Sequence, residues 1–210
     1  MPHPLARRIA EALAAHGRPT RVLLLGIGNG RNLPVLLAAG ARIDALEEDP
    51  ERLRAAAARF AAEPRLRLVR GRYEEAIPLG GGFDAALSTH ALLHGTPDAV
   101  ARAVAAVRNR LAPGAPFFAT LGSTADPRYG AGERVAPGTF AAVAGPERGV
   151  PHAFFDENSA RALFAGFDLR ALERTDAHES AGRWAHSEAE AASIIHWFVS
   201  AYRYRSDGAQ

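Results

Sequence analysis

Two spacings of apolar residues alternate along the chain. Val22–Leu25 is a short apolar run ahead of a glycine-rich turn, the pattern of a parallel strand buried on both faces. A helix is expected from about Arg31 to Ala39, with Pro34 tolerated near its first turn and Gly40 as its stop. Ala41–Leu46 reads as a second strand, and Pro50 opens a helix on which Leu53, Ala56, Ala57 and Phe60 share a face. Arg65–Val69 and Phe83–Ser88 read as the third and fourth strands. Thr96-Pro97-Asp98 has the makings of a helix start: a capping hydroxyl, a proline, then an acid near the positive end of the dipole. Val100, Val104, Val107 and Leu111 supply that helix's buried stripe, Pro113-Gly114 ends it, and Pro116–Leu121 is a fifth strand.

Beyond the fifth strand the periodicity lapses. Residues 122–155 are rich in glycine and proline and show no strong period. Structureless stretches longer than about 15 residues are uncommon in compact domains and often serve as lids or binding loops. This one leaves the carboxyl end of a strand, where ligands of such sheets bind, so it reads as an acceptor-side loop or lid. Asp156 can cap a last helix, with Leu163 and Phe164 inward and Gly166 as its stop. Phe167–Leu172 and Ile194–Tyr204 then read as two strands with no helix between them, an antiparallel hairpin added to a parallel sheet. In the second of these, Ile195, Trp197, Val199 and Ala201 fall on one face. At the other end of the chain, Leu5, Ile9 and Leu13 predict an amphipathic helix within residues 1–18, for packing and compatible with a lid.

With 210 residues, 48% of them hydrophobic and 23% charged, a single globular domain over residues 1–210 is expected. No run of about 18 apolar residues predicts a membrane span, and the first residues lack the apolar core of a secretory signal. A cytoplasmic location is the default. There is no cysteine, which excludes disulfides, thiol nucleophiles and cysteine zinc sites. There is no lysine either, so Schiff-base chemistry and the lysine-dependent phosphate loop are absent. The Ala- and Arg-rich composition fits a GC-biased, bacterial-like genome. A formal net charge of +2 is a weak field. Its densest basic group, Arg65, Arg67, Arg70 and Arg72, is confined to one strand, so nucleic acid is not an expected partner.

The richest chemical signal is Gly26-Ile27-Gly28-Asn29-Gly30-Arg31-Asn32. Glycines there let the backbone turn sharply and approach a ligand, and the helix behind points its first amides at it. Glu47 lies 21 positions after Gly26, at the end of the next strand, where the Rossmann arrangement places an acid that holds ribose hydroxyls. A dinucleotide fingerprint wants a small residue at the sixth position of the turn, near a pyrophosphate; Arg31 stands there instead. A cofactor without a pyrophosphate fits better.

This turn resembles the first motif of the class I S-adenosylmethionine-dependent methyltransferases, and its Gly-Arg-Asn ending is similar to the tellurite-resistance group. Leu46-Glu47-Glu48-Asp49-Pro50, Phe83-Asp84 through Ser88-Thr89-His90-Ala91-Leu92-Leu93-His94, and Leu111-Ala112-Pro113-Gly114 resemble later motifs of the same family. The resemblance implies an α/β fold: a Rossmann-like three-layer sandwich with a seven-stranded, mostly parallel sheet and a C-terminal antiparallel hairpin. It implies S-adenosylmethionine as cofactor and S-adenosylhomocysteine as product. Gly26, Ile27, Gly28, Asn29 and Gly30 would line the methionine part, with Arg31 or Asn32 at its carboxylate. Glu47 would hold the ribose and Glu48 lie beside the adenine, with Arg72 and Tyr73 near the base. Ser88, Thr89 and His90 would flank the sulfonium. Two positions depart from the family pattern, Leu24 and Arg72, where acids are usual; for the second, either Glu74 substitutes or Tyr73 contributes backbone contacts or stacking.

Methyl transfer from a sulfonium needs alignment and exclusion of water, and a base only if the acceptor must lose a proton. His90 and His94 are the candidates for that base, and both can equally be structural hydrogen-bonding residues. His152 in the long loop is a third candidate, or a solvated loop residue. Asp126, Arg128, Tyr129, Phe154 and Phe155 are candidates to bind the acceptor, arginine suiting an anionic group. His178, His186 and His196 lack metal-site spacing and read as edge or surface histidines, so no metal is expected. A small-molecule acceptor is the leading expectation, in a monomer or homodimer. The alternatives are a catalytically degenerate binding protein and an RNA methyltransferase.

Overall fold

The computed structural model describes residues 1–15, 18–73, 75, 79–145, 147–175 and 194–205. Strands and helices alternate through its first half: α1 (Pro4–Ala14), β1 (Thr20–Leu25), α2 (Leu33–Ala38), β2 (Ala41–Glu47), α3 (Pro50–Arg59), β3 (Leu66–Arg70), β4 (Ala85–Ser88), α4 (Pro97–Arg110) and β5 (Pro116–Ser123). Then come β6 (Glu133–Ala136), β7 (Thr139–Ala141), β8 (Pro151–Phe155), α5 (Glu157–Leu163), β9 (Phe167–Arg174) and β10 (His196–Arg203). None of the described helices is long and apolar enough to cross a membrane.

β1 to β5 are parallel in the order β3-β2-β1-β4-β5, and β10 runs antiparallel between β5 and β9. These seven strands form the sheet and late hairpin expected from the sequence. The sheet nevertheless has ten strands rather than seven. The extra three, β6 to β8, come from residues 122–155. β8 adds to the far end of β5 through Gly122 and Ser123, and β7 and β6 follow it as an antiparallel ribbon. Such short strands escape a period count. β6 is largely exposed, and β8 is buried on both faces, so neither alternates.

Alternate side chains of β1 divide between two cores, which makes the three layers. Val22 and Leu24 pack with Leu5, Ile9 and Leu13 of α1 and Leu33 and Leu36 of α2. Leu23 and Leu25 pack with Val100, Val104 and Val107 of α4 and with Phe164 after α5. The expected cap of α4 is present: the Thr96 hydroxyl accepts from the Ala99 amide, with Pro97 behind it. Two local expectations need correction. α2 starts at Leu33 rather than Arg31, because the glycine turn runs on to Asn32. On α3, Ala57 is exposed, and only Leu53, Ala56 and Phe60 turn inward.

Strand order reverses at β1, whose neighbours are β2 and β4. In open α/β sheets the crevice beyond the carboxyl ends at such a point is where ligands bind. Here it is bounded by the glycine turn after β1 and by Thr89–His94 after β4. The β6–β8 ribbon reaches it from the side of β5.

Candidate active site

A cavity of about 560 Å³ opens at that crevice. Its floor is the glycine turn. Gly26 and Gly28 both have left-handed backbone (φ +73° and +54°), which favours glycine, yet their surroundings differ. A Cβ on Gly26 would lie 2.8 Å from the Ala91 Cβ, so Gly26 is required by packing. A Cβ on Gly28 would meet no protein atom within 4 Å; it would project into open space. Gly30 faces away from the cavity, toward the Phe60 ring.

Glu47, at the end of β2, is 5% exposed and closes one side. Its Oε2 accepts from the amides of Ile27 (3.0 Å) and Gly28 (3.4 Å), and its Oε1 from that of Asp49 (3.1 Å). A carboxylate has about four acceptor sites, so Glu47 fixes the turn and keeps capacity for a hydroxyl. Ile27, Asn29, Arg31, Glu48 and Tyr73 also line the cavity. Arg72 does not line the cavity but lies 3.6 Å from Glu48, which does, and Glu74 lies outside the described residues.

Asn32 ties three elements together. Its Oδ1 accepts from the His3 amide (2.9 Å), and its Nδ2 donates to the Thr89 hydroxyl (2.8 Å). These bonds commit the Asn32 side chain and leave Arg31 as the cation of the pair that faces the cavity. Ser88 is fully buried in β4 and does not line the cavity, whereas Thr89 does. His90 is the one non-glycine residue among those described with left-handed backbone (φ +66°), held by donation from its amide to the Thr120 hydroxyl (2.8 Å). Strain of this kind persists where the surroundings over-determine it.

Three imidazoles follow in a row: His90 stands edge-on to His3 (5.6 Å between centroids) and to His196 (5.4 Å). Sequence reasoning missed His3, and it misplaced His196, which is no surface residue but 1% exposed. Arg128 can only donate, so the 3.1 Å contact to its guanidinium makes His196 Nε2 an acceptor. Burial, and then Arg128, push the His196 pKa down to about 3. Burial with Arg31 lowers that of His3 as well. Both rings therefore stay neutral and polar beside the cavity. The one available signal for His3 was its place before Pro4, where its Nδ1 accepts from the Leu5 amide as a helix cap. His178 and His186 lie outside the described residues.

Residues 122–155 supply the remaining wall, Arg128, Glu147 and His152, with His94 beside His152. Glu147 has no motif around it and was not expected. Tyr73 donates its hydroxyl to the His94 carbonyl (3.1 Å), joining the end of β3 to this wall. Asp126, Tyr129, Phe154 and Phe155 do not line the cavity. Phe154 and Phe155 are buried in β8, and Tyr129 packs on Phe140 and Phe154.

Asp126 is buried beneath the wall. Its Oδ1 accepts from the Arg128 Nε (2.8 Å), and its Oδ2 from the same guanidinium (2.9 Å) and from the Ile195 amide (2.9 Å). Burial raises its pKa, but the bonds and charge of Arg128 hold it below the usual carboxylate range. Asp126 thus orients Arg128 and anchors the start of β10. Asp126→Ala is expected to cost about 2–3 kcal/mol, less than the roughly 3–5 kcal/mol for breaking a fully buried pair, because the Arg128 left behind is partly solvated. Urea unfolding would show a lower midpoint with an unchanged slope. An unmoved midpoint would remove the pair from the stabilising contacts.

Residues 22–114 match the family model described as a methyltransferase domain. No curated protein is recognisably similar in sequence. Among solved structures, a SAM-dependent methyltransferase from Methanosarcina mazei superposes with a TM-score of 0.71 at 16% identity, over 90% of this chain and 94% of that one. The 1,6-didemethyltoxoflavin-N1-methyltransferase of Burkholderia thailandensis, solved with 1,6-didemethyltoxoflavin and S-adenosylhomocysteine, gives 0.65 at 25% identity, over 95% and 78%. TehB from Haemophilus influenzae gives 0.68 at 14% identity, over 97% and 62%. The match to a methyltransferase domain thus spans the strands and turns around the switch point, and the chain as a whole has the fold of solved SAM-dependent methyltransferases.

Proposed function

We propose that the protein transfers the methyl group of S-adenosylmethionine to a small-molecule acceptor held between the glycine turn and the wall formed by residues 122–155. The observation that carries this reading is the two-sided cavity, with Gly28 and Glu47 on one side and His90, His94, Arg128 and His152 on the other. The open space over Gly28 and the remaining acceptor capacity of Glu47 suit the cofactor's methionine and ribose parts. The bound cofactor supplies an activated methyl group. The chain's own residues then hold donor and acceptor in line and keep water out. Arg128, fixed from below by Asp126, favours an acceptor with an anionic group. The 1,6-didemethyltoxoflavin bound by the Burkholderia enzyme supports an acceptor of that general size.

Calorimetric titration with S-adenosylhomocysteine, with NAD as control, tests the reading. Binding of the first alone is expected. Binding of neither, or of NAD alone, would overturn it, and binding without turnover on any acceptor would leave a non-catalytic role. In the same titration Glu47→Ala is expected to weaken S-adenosylhomocysteine by about 10–100-fold. That corresponds to roughly 1.4–2.8 kcal/mol and sums a lost charge-assisted bond with a loosened turn. Unchanged affinity would remove Glu47 from the site.

A further inference from the structure

We propose that His94, Glu147 and His152 form a divalent transition-metal site that opens on the cofactor cavity. The proposal rests on the preceding reading only for its use, not for its existence. One ring nitrogen of each histidine and one Glu147 carboxylate oxygen all lie within 4.8 Å of one another. His94 Nε2 is 3.7 Å from Glu147 Oε1, and His152 Nε2 is 3.1 Å from Glu147 Oε2. Four-coordinate zinc, with bonds of about 2.0–2.2 Å, holds its ligand atoms about 3.4 Å apart. Each histidine is thus already near that spacing from one oxygen of the carboxylate, His94 from Oε1 and His152 from Oε2.

The backbone fixes this convergence in advance. His94 and His152 face each other across an antiparallel bridge, and the Gly95 amide donates to the Pro151 carbonyl (2.8 Å). Glu147 is brought in by the turn before β8, closed by donation from the Val150 amide to the Glu147 carbonyl (3.0 Å). The His152 Nδ1 contacts the Val150 carbonyl (2.9 Å), which can only accept, so Nδ1 carries the hydrogen. That is the outer contact that orients a metal-bound imidazole. It also leaves Nε2 facing a carboxylate oxygen, an arrangement that needs a cation between them. A proton would serve that one pair, but His94 Nε2 converges on the same carboxylate. Three ligand atoms about one point are the arrangement for a metal ion.

Two histidines and one glutamate make the ligand set of catalytic rather than structural zinc, which keeps a position open for water or substrate. Here that position faces the cavity. An acceptor hydroxyl or thiol bound there would release its proton to solvent and present the anionic heteroatom beside the cofactor. The substrate class is therefore one with an ionisable oxygen or sulfur able to ligate a metal.

The test is calorimetric titration of chelator-stripped protein with Zn²⁺ alone, with Co²⁺ absorption as a second readout. About one equivalent is expected to bind, with affinity lowered at least about tenfold in both Glu147→Gln and His152→Ala. Glu147 is half-exposed, so its variant keeps the test decisive if loss of the buried His152 disturbs folding. Absence of stoichiometric binding, or binding unaffected by Glu147→Gln, would overturn the site. Titration of the stripped protein with S-adenosylhomocysteine separates the two readings: cofactor binding without zinc binding removes only the metal, and the reverse removes only the methyltransferase reading.

Discussion

Gly28→Val is expected to abolish S-adenosylhomocysteine binding while the protein stays folded. The reason is the contrast between two glycines in one turn. Gly26 touches the Ala91 side chain, so a substitution there disturbs the packing of the turn against the segment after β4. Gly28 has no protein atom within 4 Å of where its Cβ would stand, so a valine side chain occupies space the cofactor needs and displaces nothing else. The folded protein bears only the left-handed backbone at φ +54°, a cost of roughly 1–2 kcal/mol for a residue with a Cβ. The ligand loses direct contact with the turn, which is expected to weaken it by at least about a hundredfold, close to 3 kcal/mol. Thermal unfolding together with calorimetry separates the two effects. Affinity within a few-fold of the parent would show that the cofactor does not lie over this turn. Collapse of the fold would show that Gly28 serves the chain itself. Gly28→Ala, with the smaller side chain, is expected to fall between parent and valine in affinity.

The half of the site built from consecutive motifs was legible in the sequence, and the half built by tertiary approach was not. Gly26, Gly28 and Glu47 were readable because a strand, a turn and the next strand end lie in one short stretch whose spacing is set by the sheet. The Thr96 cap and the valine stripe of α4 were readable for the same local reason. His3, Glu147 and His196 carry no such local signature. His3 reaches the site because α1 packs on α2 and β4, and Asn32 binds its amide. His196 arrives through pairing of β10 with β5, a contact between residues 196 and 122. Along β10 the alternation of Trp197, Val199 and Ala201 suggested a single buried face. Both faces are buried, because Phe198 packs in the α1 core and His196 abuts the cavity. For residues 122–155 a position at the end of the sheet that carries the cavity was legible, since the stretch leaves the end of β5. Its ribbon was not, because β8 gains its order from Gly122 and Ser123 of β5, and β7 from β8, rather than from internal periodicity.

Acidification is expected to destabilise the protein between about pH 6.5 and pH 4.5, before the carboxylates titrate. His196 is fully buried against Arg128, and burial first, Arg128 second, pull its pKa from 6.5 down to about 3. The folded protein therefore keeps it neutral where the unfolded chain takes up a proton. Because the unfolded state binds more protons in this window, stability rises with pH: the contribution is complete above about pH 6.5 and is lost as pH falls toward about 3. His3, lowered chiefly by burial, acts in the same direction. From His196 alone the loss is about 2 kcal/mol by pH 5, and about 4 kcal/mol if the fold survives to pH 3. Asp126 and Glu147 are held below the ordinary carboxylate range, Asp126 by Arg128 against its burial and Glu147 by hydrogen bonds from His152 and His94. Their contributions fade only below about pH 4.5, so the histidine signal comes first. Urea unfolding at a series of pH values measures the slope, and His196→Asn is expected to flatten it by removing the ionisable group. A slope unchanged in that variant would assign the effect to His3. A parent protein equally stable at about pH 7 and pH 5 would mean that water or an anion reaches these rings and lets them charge in place.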